Sequence, residues 1–399
     1  MAEEIEEKKK SRKPRDGPFR QQRLPAWQPV LTPRTVLPAF FIFGILFLPI
    51  GGLLYWNSGK VDELMINYSH CGQYSTPVYL SPGLYDFQFS KDLNISEMQP
   101  PAYHYENTTE FQGQNLQNPN NLTVQRCILD FTVPTTMSGP IYMYYRLTNF
   151  YQNHRLYIKN FDQNQLLGER VGQSTLNTNC GPLAYMNNSV IYPCGIVANS
   201  MFNDTISNLT EITSGGTGSN YTFSTTGIAW PTDKQKYNPT KYNMDEIVPP
   251  PNWQPRYPNG RFTEEFPPPD LKSMENFQVW MHMAALPDFR KIWARNDQDD
   301  LQAGRWRAYI DLNFDTLQWE GTKWLVISTT SPLGGRNPYI GIAYMAIGAL
   351  CLAIGIVFTL TYCIKPRKIG DTRYLSWNQP GGGLPANKQR LSKKEKKKD

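Results

Sequence analysis

Residues 35–56 read TVLPAFFIFGILFLPIGGLLYW, a run of 22 residues without a charged side chain. At a rise of about 1.5 Å per residue, a helix of this length reaches roughly 33 Å and crosses a hydrocarbon core of about 30 Å. Pro38 and Pro49 would break a water-exposed helix, but in a bilayer neighbouring helices and waters satisfy the freed backbone groups. A secretory signal peptide is the alternative, yet this run is too long, starts too late and lacks an A-x-A cleavage site. The run therefore predicts a transmembrane helix.

A second uncharged run of 26 residues, at positions 339–364, predicts a second transmembrane helix. Two helices place both chain ends on one side of the membrane, and the positive-inside rule assigns that side to the cytosol. The basic residues that flank the two runs are Arg20, Arg23, Arg34, Lys365, Arg367, Lys368 and Arg373. We predict an integral membrane protein with five parts: cytosolic tail 1–34, helix 35–56, lumenal or extracellular domain 57–338, helix 339–364 and basic cytosolic tail 365–399.

The formal net charge of +6 is distributed unevenly along the chain. Residues 1–34 carry nine basic and five acidic side chains, residues 365–399 carry eleven and three, and residues 57–338 are acidic overall. Basic tails beside a bilayer attract anionic phospholipid headgroups. Nucleic-acid binding is the other interpretation of such lysine runs, and the membrane topology argues against it. The charged, aperiodic tips of both tails are expected to be disordered.

The cysteines divide between the predicted compartments. Those in the lumenal domain are Cys71, Cys127, Cys180 and Cys194. An even number of thiols in an oxidising space favours disulfides, and three pairings are possible. We favour Cys71–Cys127 with Cys180–Cys194, because the second pair closes a short loop. A zinc site is the alternative, but no C-x-x-C motif is present. The two cysteines of the second helix, Cys351 and Cys363, are expected to be reduced and packed.

The lumenal domain shows mainly β patterning. Four segments are rich in aromatic and β-branched residues: 127–133, 141–147, 305–314 and 322–329. In the third segment five apolar residues alternate with polar ones, as in a half-buried strand. These are Trp306, Ala308, Ile310, Leu312 and Phe314. The last two strands are expected to form a hairpin that leads into the second transmembrane helix. The number of strands suits a sandwich and is too small for a propeller.

Two further segments of this domain have recognisable patterns. Residues 214–220 (SGGTGSN) are rich in glycine and serine and predict a flexible loop. Apolar residues at helical spacing then predict an amphipathic helix that packs on the sheet and stops before Pro287. They are Leu271, Met274, Phe277, Met281 and Ala284. With 282 residues, the domain is large enough to build its own core.

Seven N-x-[ST] sequons fall in the lumenal domain and predict N-linked glycans. They are Asn94, Asn107, Asn121, Asn187, Asn203, Asn208 and Asn220. Catalytic signatures are absent: there is no P-loop, no H-E-x-x-H, no G-x-S-x-G and no D-K-T-G-T phosphorylation sequence. Neither apolar run holds the ionisable side chain that transporters place at membrane depth. We therefore expect no catalytic residue, no metal and no cofactor other than glycans.

The segment before the first helix, residues 19–34 (FRQQRLPAWQPVLTPR), has a distinct composition. Its three prolines forbid a regular helix, and Trp27 and Leu31 are apolar in a cytosolic setting. Such a segment either docks on a partner or lies on the membrane surface, anchored by Trp27 and the arginines.

Six motifs, in order along most of the chain, are long or unusual. They are FRQQRLPAWQPVLTPRTVLP (19–38), LTNFYQNHRLYIKNFD (147–162), IYPCGIVANSMFNDT (191–205), DEIVPPPNW (245–253), FQVWM (277–281) and GGRNP (334–338). In these motifs the chain resembles the ligand-effect modulator, or cell division control protein fifty, family. That family comprises the non-catalytic β-subunits of type IV P-type ATPases, the phospholipid flippases. The tail segment RKIGDTRYLSWN is similar to fungal members.

The resemblance implies two transmembrane helices and an antiparallel β-sandwich with a smaller irregular or α lobe, with disulfides and N-glycans. It implies a heterodimer with an ATPase α-subunit that hydrolyses ATP and moves phospholipid to the cytosolic leaflet. The family's pattern requires this subunit for exit from the endoplasmic reticulum and for the catalytic cycle. The expected location is the membrane of the endoplasmic reticulum, the Golgi or endosomes, or the cell surface, with both termini cytosolic and membrane phospholipids as neighbours.

Six residues of the resembling motifs are candidates for partner binding: Arg23, Trp27, Phe150, Tyr151, His154 and Arg155. Aromatic and arginine side chains are the usual anchors of protein interfaces. Phe150, Tyr151 and Tyr157 fit a core position equally well. The alternative function is a free-standing membrane receptor or lipid-binding glycoprotein. A membrane-tethered hydrolase has no motif behind it.

Overall fold

The computed structural model of the chain describes residues 17–19, 22–26, 31–90, 98–110, 120, 122–213, 216–331, 334–366 and 372. The chain divides into two compact units, one drawn from its two ends (Met1–Gly52 with Gly341–Asp399) and one continuous (Leu53–Ile340). The α-helices are α1 (Pro33–Ser58), α2 (Arg155–Ile158), α3 (Gln163–Leu166), α4 (Gln173–Cys180), α5 (Ile196–Asn199), α6 (Glu275–Met281) and α7 (Pro338–Ile364).

The strands form three sheets. The first holds β1 (Glu63–Asn67), β3 (Tyr85–Gln88), β6 (Ile141–Leu147), β13 (Phe289–Asn296) and β15 (Lys323–Thr329). The second holds β2 (Val78–Tyr79), β4 (Ala102–Thr108), β5 (Val124–Val133), β9 (Thr205–Ile206), β10 (Leu209–Thr213), β11 (Gly216–Tyr221) and β14 (Gly304–Asp311). A small third sheet holds β7 (Tyr185–Met186), β8 (Ser189–Ile191) and β12 (Ile247–Val248).

Helices α1 and α7 confirm the two predicted spans. They have mean hydropathies of 2.3 and 2.4, and both are long and apolar enough to cross a membrane. Both helices begin slightly before the predicted runs, at Pro33 and Pro338, because Pro is well tolerated in the first turn. Helix α1 also extends two residues further, to Ser58, whereas α7 ends at Ile364 as predicted. Pro38 and Pro49 lie inside α1 without ending it.

Within the first unit, α1 and α7 pack through glycines. Gly341, Gly348 and Gly355 recur every seven residues of α7 and are buried. On α1, a Cβ atom built on Gly51 would lie 2.7 Å from the backbone nitrogen of Met345. Small residues at such positions let two helix backbones approach closely, so that van der Waals packing holds the pair together in lipid.

The continuous unit is an antiparallel β-sandwich. The first sheet has the order β13-β6-β15-β1-β3, and the second has the order β11-β10-β14-β5-β4-β2, with β9 also paired to β14. Every second residue of the central strands faces the core between the sheets. Leu325 and Ile327 contribute from the first sheet, and Leu129, Trp306 and Ile310 from the second. The mainly β prediction is confirmed, including the alternation from Trp306 to Ile310.

The predicted hairpin between the last two strands is wrong. Strand β14 pairs with β5, β9 and β10, whereas β15 pairs with β1 and β6 in the opposite sheet. The chain leaves β14 after Asp311, where the backbone N–H groups of Asn313 and Phe314 donate to the Asp204 carboxylate instead of continuing the ladder. The connection therefore crosses the sandwich, and Leu312 and Phe314 lie beyond the strand.

Two further expectations are corrected. Most of residues 214–220, predicted as a loop, belong to β11, which pairs with β10 and is anchored by the buried ring of Tyr221. The predicted amphipathic helix is shorter than expected: only α6 is helical, so Leu271 lies before it and Ala284 lies after it.

A buried lysine caps the C-terminal end of α6. The Lys291 ammonium donates to the carbonyls of Val279, Trp280 and His282, and burial lowers the pKa of Lys291 to about 7.

A smaller lobe beside the sandwich contains helices α2–α6, the third sheet and several 3-10 turns. Its core is aromatic, and the most completely buried rings are Tyr192, Phe202, Phe277 and Trp280. This lobe agrees with the smaller irregular or α lobe that the family resemblance implies.

Both favoured disulfides are present. Cys71–Cys127 joins the segment after β1 to β5, with Cα atoms 5.8 Å apart, and Cys180–Cys194 joins α4 to the segment after β8, with Cα atoms 5.6 Å apart. In the chain-entropy treatment, closing loops of these lengths contributes about 4 and 3 kcal/mol, respectively. In α7, Cys351 is free and half-buried, whereas Cys363 is free and exposed rather than packed.

Candidate partner-binding surface

Three of the family-like motifs converge on α5. The indole N–H of Trp253 donates to the Ala198 carbonyl at 3.0 Å, and that of Trp280 donates to the Val197 carbonyl at 2.9 Å. Both tryptophans are buried. Each large ring thus fills the lobe and also satisfies a backbone acceptor, which fixes α5 in place. These motifs serve mainly to build the lobe.

Asp204 joins the two lobes through a buried polar network. Its Oδ1 accepts from the N–H groups of Asn313 (2.6 Å) and Phe314 (2.7 Å). Its Oδ2 accepts from the Lys323 ammonium at 2.7 Å and from the Tyr68 hydroxyl at 3.1 Å. Burial, together with the Asp204 charge, raises the pKa of Tyr68 well above its usual value. All four hydrogen-bonding positions of the carboxylate are occupied, so this buried charge is fully compensated.

Phe150 belongs to the core of the smaller lobe. Its ring lies edge-on to Tyr157, Trp280 and Phe289, with centroids 6.0, 5.6 and 6.2 Å away, and tilted to Phe314 at 6.0 Å. Tyr157 is buried as well. Phe150 therefore positions the chain from which the other candidates project.

The other candidates of this motif are exposed. Tyr151, His154 and Arg155 lie in α2 and the turn before it. Leu156 is 72% exposed beside them. One exposed leucine is common on protein surfaces, so the neighbouring residues decide whether it belongs to a larger apolar patch.

Two neighbouring loops extend this exposed face. The Asn149 amide donates to the Trp319 carbonyl at 2.6 Å, and the Asn153 amide donates to the Ala285 carbonyl at 2.9 Å. These bonds hold the 65% exposed Trp319 and the 67% exposed Leu286 beside the same segment. We call this the α2 surface and define it as Tyr151, His154, Arg155, Leu156, Leu286 and Trp319.

Sequence reasoning missed Leu156, Leu286 and Trp319. Leu156 lies next to the predicted candidates, but a four-residue helix is too short for a periodicity to show which residues face out. Leu286 and Trp319 come from segments remote in sequence. Nothing local distinguishes them from the buried aromatic and aliphatic residues around them.

The remaining predicted site residues are spread over the molecule. Arg23 lies in the exposed stretch 22–26 of the other unit, and Trp27 lies outside the described residues. Of the sequons, Asn107, Asn187, Asn208 and Asn220 are exposed, Asn203 is partly buried, and Asn94 and Asn121 lie outside the described residues. Among the residues that the structure describes, no cluster of His, Cys, Asp and Glu is arranged to hold a metal ion.

Comparison with known proteins identifies the family. The profile of the LEM3 (ligand-effect modulator 3) family / CDC50 family matches residues 54–368. A Chaetomium thermophilum protein named phospholipid-transporting ATPase accessory subunit CDC50 is 40% identical over 384 residues, 92% of each chain. The Saccharomyces cerevisiae phospholipid-transporting ATPase accessory subunit LEM3 is 36% identical over 377 residues, 92% of this chain and 88% of its own. Cell cycle control protein 50A of Bos taurus is 35% identical over 372 residues, 87% of this chain and 88% of its own. The chain belongs to the LEM3/CDC50 family.

Proposed function

We propose that this chain is the non-catalytic accessory subunit of a phospholipid-transporting P-type ATPase. The observation that carries the proposal is the near full-length match to relatives that bear this name, at 36–40% identity. The match covers the sandwich and the smaller lobe rather than a single motif. The ATPase supplies ATP hydrolysis and the lipid pathway, and this chain supplies a folded domain held at the membrane by two helices.

The subunit acts on the pump by differential affinity. A ligand shifts a conformational equilibrium only by the difference between its affinities for the two states. An accessory chain that binds one conformation of the pump more tightly therefore favours the steps that lead to it. Anchoring by two helices keeps its lumenal domain close to the pump at high effective concentration. The same association supports export of the complex from the endoplasmic reticulum and phospholipid movement to the cytosolic leaflet.

The proposed topology places both termini in the cytosol and residues 57–338 in the lumen or outside the cell. The basic residues that flank both helices support this orientation. The exposed sequons and the two disulfides of the continuous unit suit an oxidising, glycosylating compartment. Membranes of the endoplasmic reticulum, Golgi, endosomes or cell surface all meet this requirement.

Purification with and without a pump tests the function. The chain isolated alone in liposomes is expected neither to hydrolyse ATP nor to move a fluorescent phospholipid. The complex affinity-purified from mild detergent is expected to contain a P-type ATPase, identified by mass, whose ATPase and lipid-transport activities fall when this chain is removed. Lipid transport by the partner-free chain would overturn the proposal, and so would purification with no ATPase bound.

The α2 surface is the proposed contact with the pump. Leu156→Asp combined with Trp319→Asp is expected to weaken the complex by at least ~2 kcal/mol, roughly 30-fold in dissociation constant, because buried interface anchors contribute this much. Tyr79→Asp is the matched control, since Tyr79 is 58% exposed and lies in β2 of the second sheet, outside the α2 surface. Co-purified ATPase, normalised to the amount of this chain, is the measurement. Equal recovery from both variants would show that the pump binds elsewhere.

A further inference from the structure

A cavity of about 830 Å³ opens between β6, β13 and the segments 201–208, 223–226 and 273–276. Ligand pockets of drug-sized molecules span roughly 300–1,000 Å³, so this cavity is large enough for one or two sugar rings. It lies entirely within the continuous unit, where the sandwich meets the smaller lobe. The partner-binding surface and the proposed role on the pump make no use of it.

The cavity has an apolar side and a polar side. Trp293, Phe223 and Met201 line the first. On the second, Arg256 donates to the Asn203 carbonyl at 2.9 Å, and Glu275 accepts from the backbone of Ile228 and Ala229 and pairs with Lys234. The lining holds one cation, Arg256, and two carboxylates, Asp204 and Glu275, each of which is already paired with a lysine. A neutral ligand with one apolar face fits it better than a phosphate or a carboxylate.

Two amide side chains in the lining have unused hydrogen-bonding capacity. Asn203 Oδ1 and Asn276 Oδ1 are buried and have no hydrogen-bond partner among the described residues. A buried acceptor left without a hydrogen-bond partner destabilises the fold. An Asn amide can turn either its oxygen or its nitrogen toward the cavity, so a group that both donates and accepts satisfies either orientation. Hydroxyl groups do both.

A sugar ring meets all of these requirements. Its hydroxyls donate and accept, its C–H face packs on an aromatic ring, and it carries no charge. Two glycosylation sequons, Asn203 and Asn208, themselves line the cavity. Asn208 is exposed, and its Oδ1 accepts from the Phe223 N–H at 2.8 Å, which fixes the amide beside the aromatic side of the cavity. A sugar attached at this rim is present at high effective concentration and loses little further freedom on entering.

We propose that the cavity holds a sugar ring of an N-linked glycan carried by this chain, attached at Asn208 or at Asn203. The ring packs against Trp293 and Phe223, and its hydroxyls satisfy the buried amide of Asn276 and, when the glycan is on Asn208, that of Asn203. The glycan then acts as a packed component of the fold at the junction of the two lobes. This inference is independent of the proposed function on the pump.

Site-resolved deglycosylation of the native full-length chain tests the proposal. The glycan at Asn208 or Asn203 is expected to be released by an amidase roughly tenfold more slowly than that at Asn220, because two hydrogen bonds and a ring contact must break first. Peptide mass mapping over a time course gives each rate. Asn208→Gln and Asn203→Gln, made separately, show which residue carries the protected glycan.

Two cavity variants separate a bound sugar from simple crowding. Asn276→Ala and Trp293→Leu are each expected to remove the protection while Asn220 is released at an unchanged rate. Asn164→Ala, which truncates an exposed amide on α3, is the matched control and should leave the protection intact. The proposal is overturned if all sites are released at one rate, if protection survives both cavity variants, or if Asn203 and Asn208 are both unmodified in the mature chain.

Discussion

Replacing Asp204 by asparagine is expected to lower the free energy of unfolding by about 3–5 kcal/mol, the cost of leaving one partner of a buried ion pair uncompensated. Asp204 and Lys323 are both almost fully buried, with their charged atoms 2.7 Å apart. The Asp204 carboxylate accepts from two backbone N–H groups and from the Tyr68 hydroxyl. In the variant, the amide N–H₂ group would face one of these donors and could not accept from it. For a domain with a total stability of roughly 5–15 kcal/mol, this loss is large.

Thermal unfolding of the full chain in mild detergent measures the effect. The midpoint should fall by about 10 °C. Asp288→Asn is the matched control, because Asp288 pairs with Arg146 at 2.6 Å but is half exposed, and such pairs contribute less than about 1 kcal/mol. Adding Lys323→Met to Asp204→Asn should recover part of the loss by removing the orphaned ammonium. If the two single variants unfolded at the same temperature, the Asp204 network would not be a stabilising feature. The sequon at Asn203 is retained in Asp204→Asn, so glycosylation does not confound the result.

Replacing Gly51 by leucine is expected to separate the two transmembrane helices. A Cβ atom at this position would lie 2.7 Å from the Met345 nitrogen and 2.8 Å from the Gly341 carbonyl. Both are backbone atoms of α7 and cannot rotate away. Overpacking a close contact costs about 1–3 kcal/mol, so the population of the packed pair should fall by roughly tenfold.

The neighbouring glycine is the control for this experiment. Gly52 has no atom of another segment within 4 Å of its Cβ position, so Gly52→Leu should leave the packing unchanged. A cysteine pair replacing Phe47 and Tyr344, whose ring centroids are 5.2 Å apart, reports the helix packing by oxidative cross-linking. Cys351 and Cys363 are replaced by alanine beforehand. Equal cross-linking in the two leucine variants would contradict the glycine-mediated packing.

The candidate site could be predicted only in part from the sequence. The motif LTNFYQNHRLY contains aromatic and basic residues suited to an interface, but the sequence does not show which of them pack inward. Phe150 and Tyr157 contact the core, whereas Tyr151 and Arg155 face out. This division depends on where Trp280 and Phe289 lie, and they come from segments more than 100 residues away. The hydrogen bond from Asn149 to the Trp319 carbonyl holds Trp319 beside this segment.

The two membrane spans, the β character of the domain between them and the family could be established from the sequence alone, because apolar length, alternation and motif order are local properties of the chain. The sequence alone could not establish which strands pair with each other. The segments of β14 and β15 therefore predicted a hairpin, although the two strands belong to opposite sheets. In the tertiary structure Asp204 accepts hydrogen bonds from the backbone just after β14, where the chain crosses from one sheet to the other. The tertiary structure also decided which of two adjacent glycines, Gly51 or Gly52, faces the other helix. In each case the deciding contact joins residues far apart in the chain, so the local sequence does not reveal it.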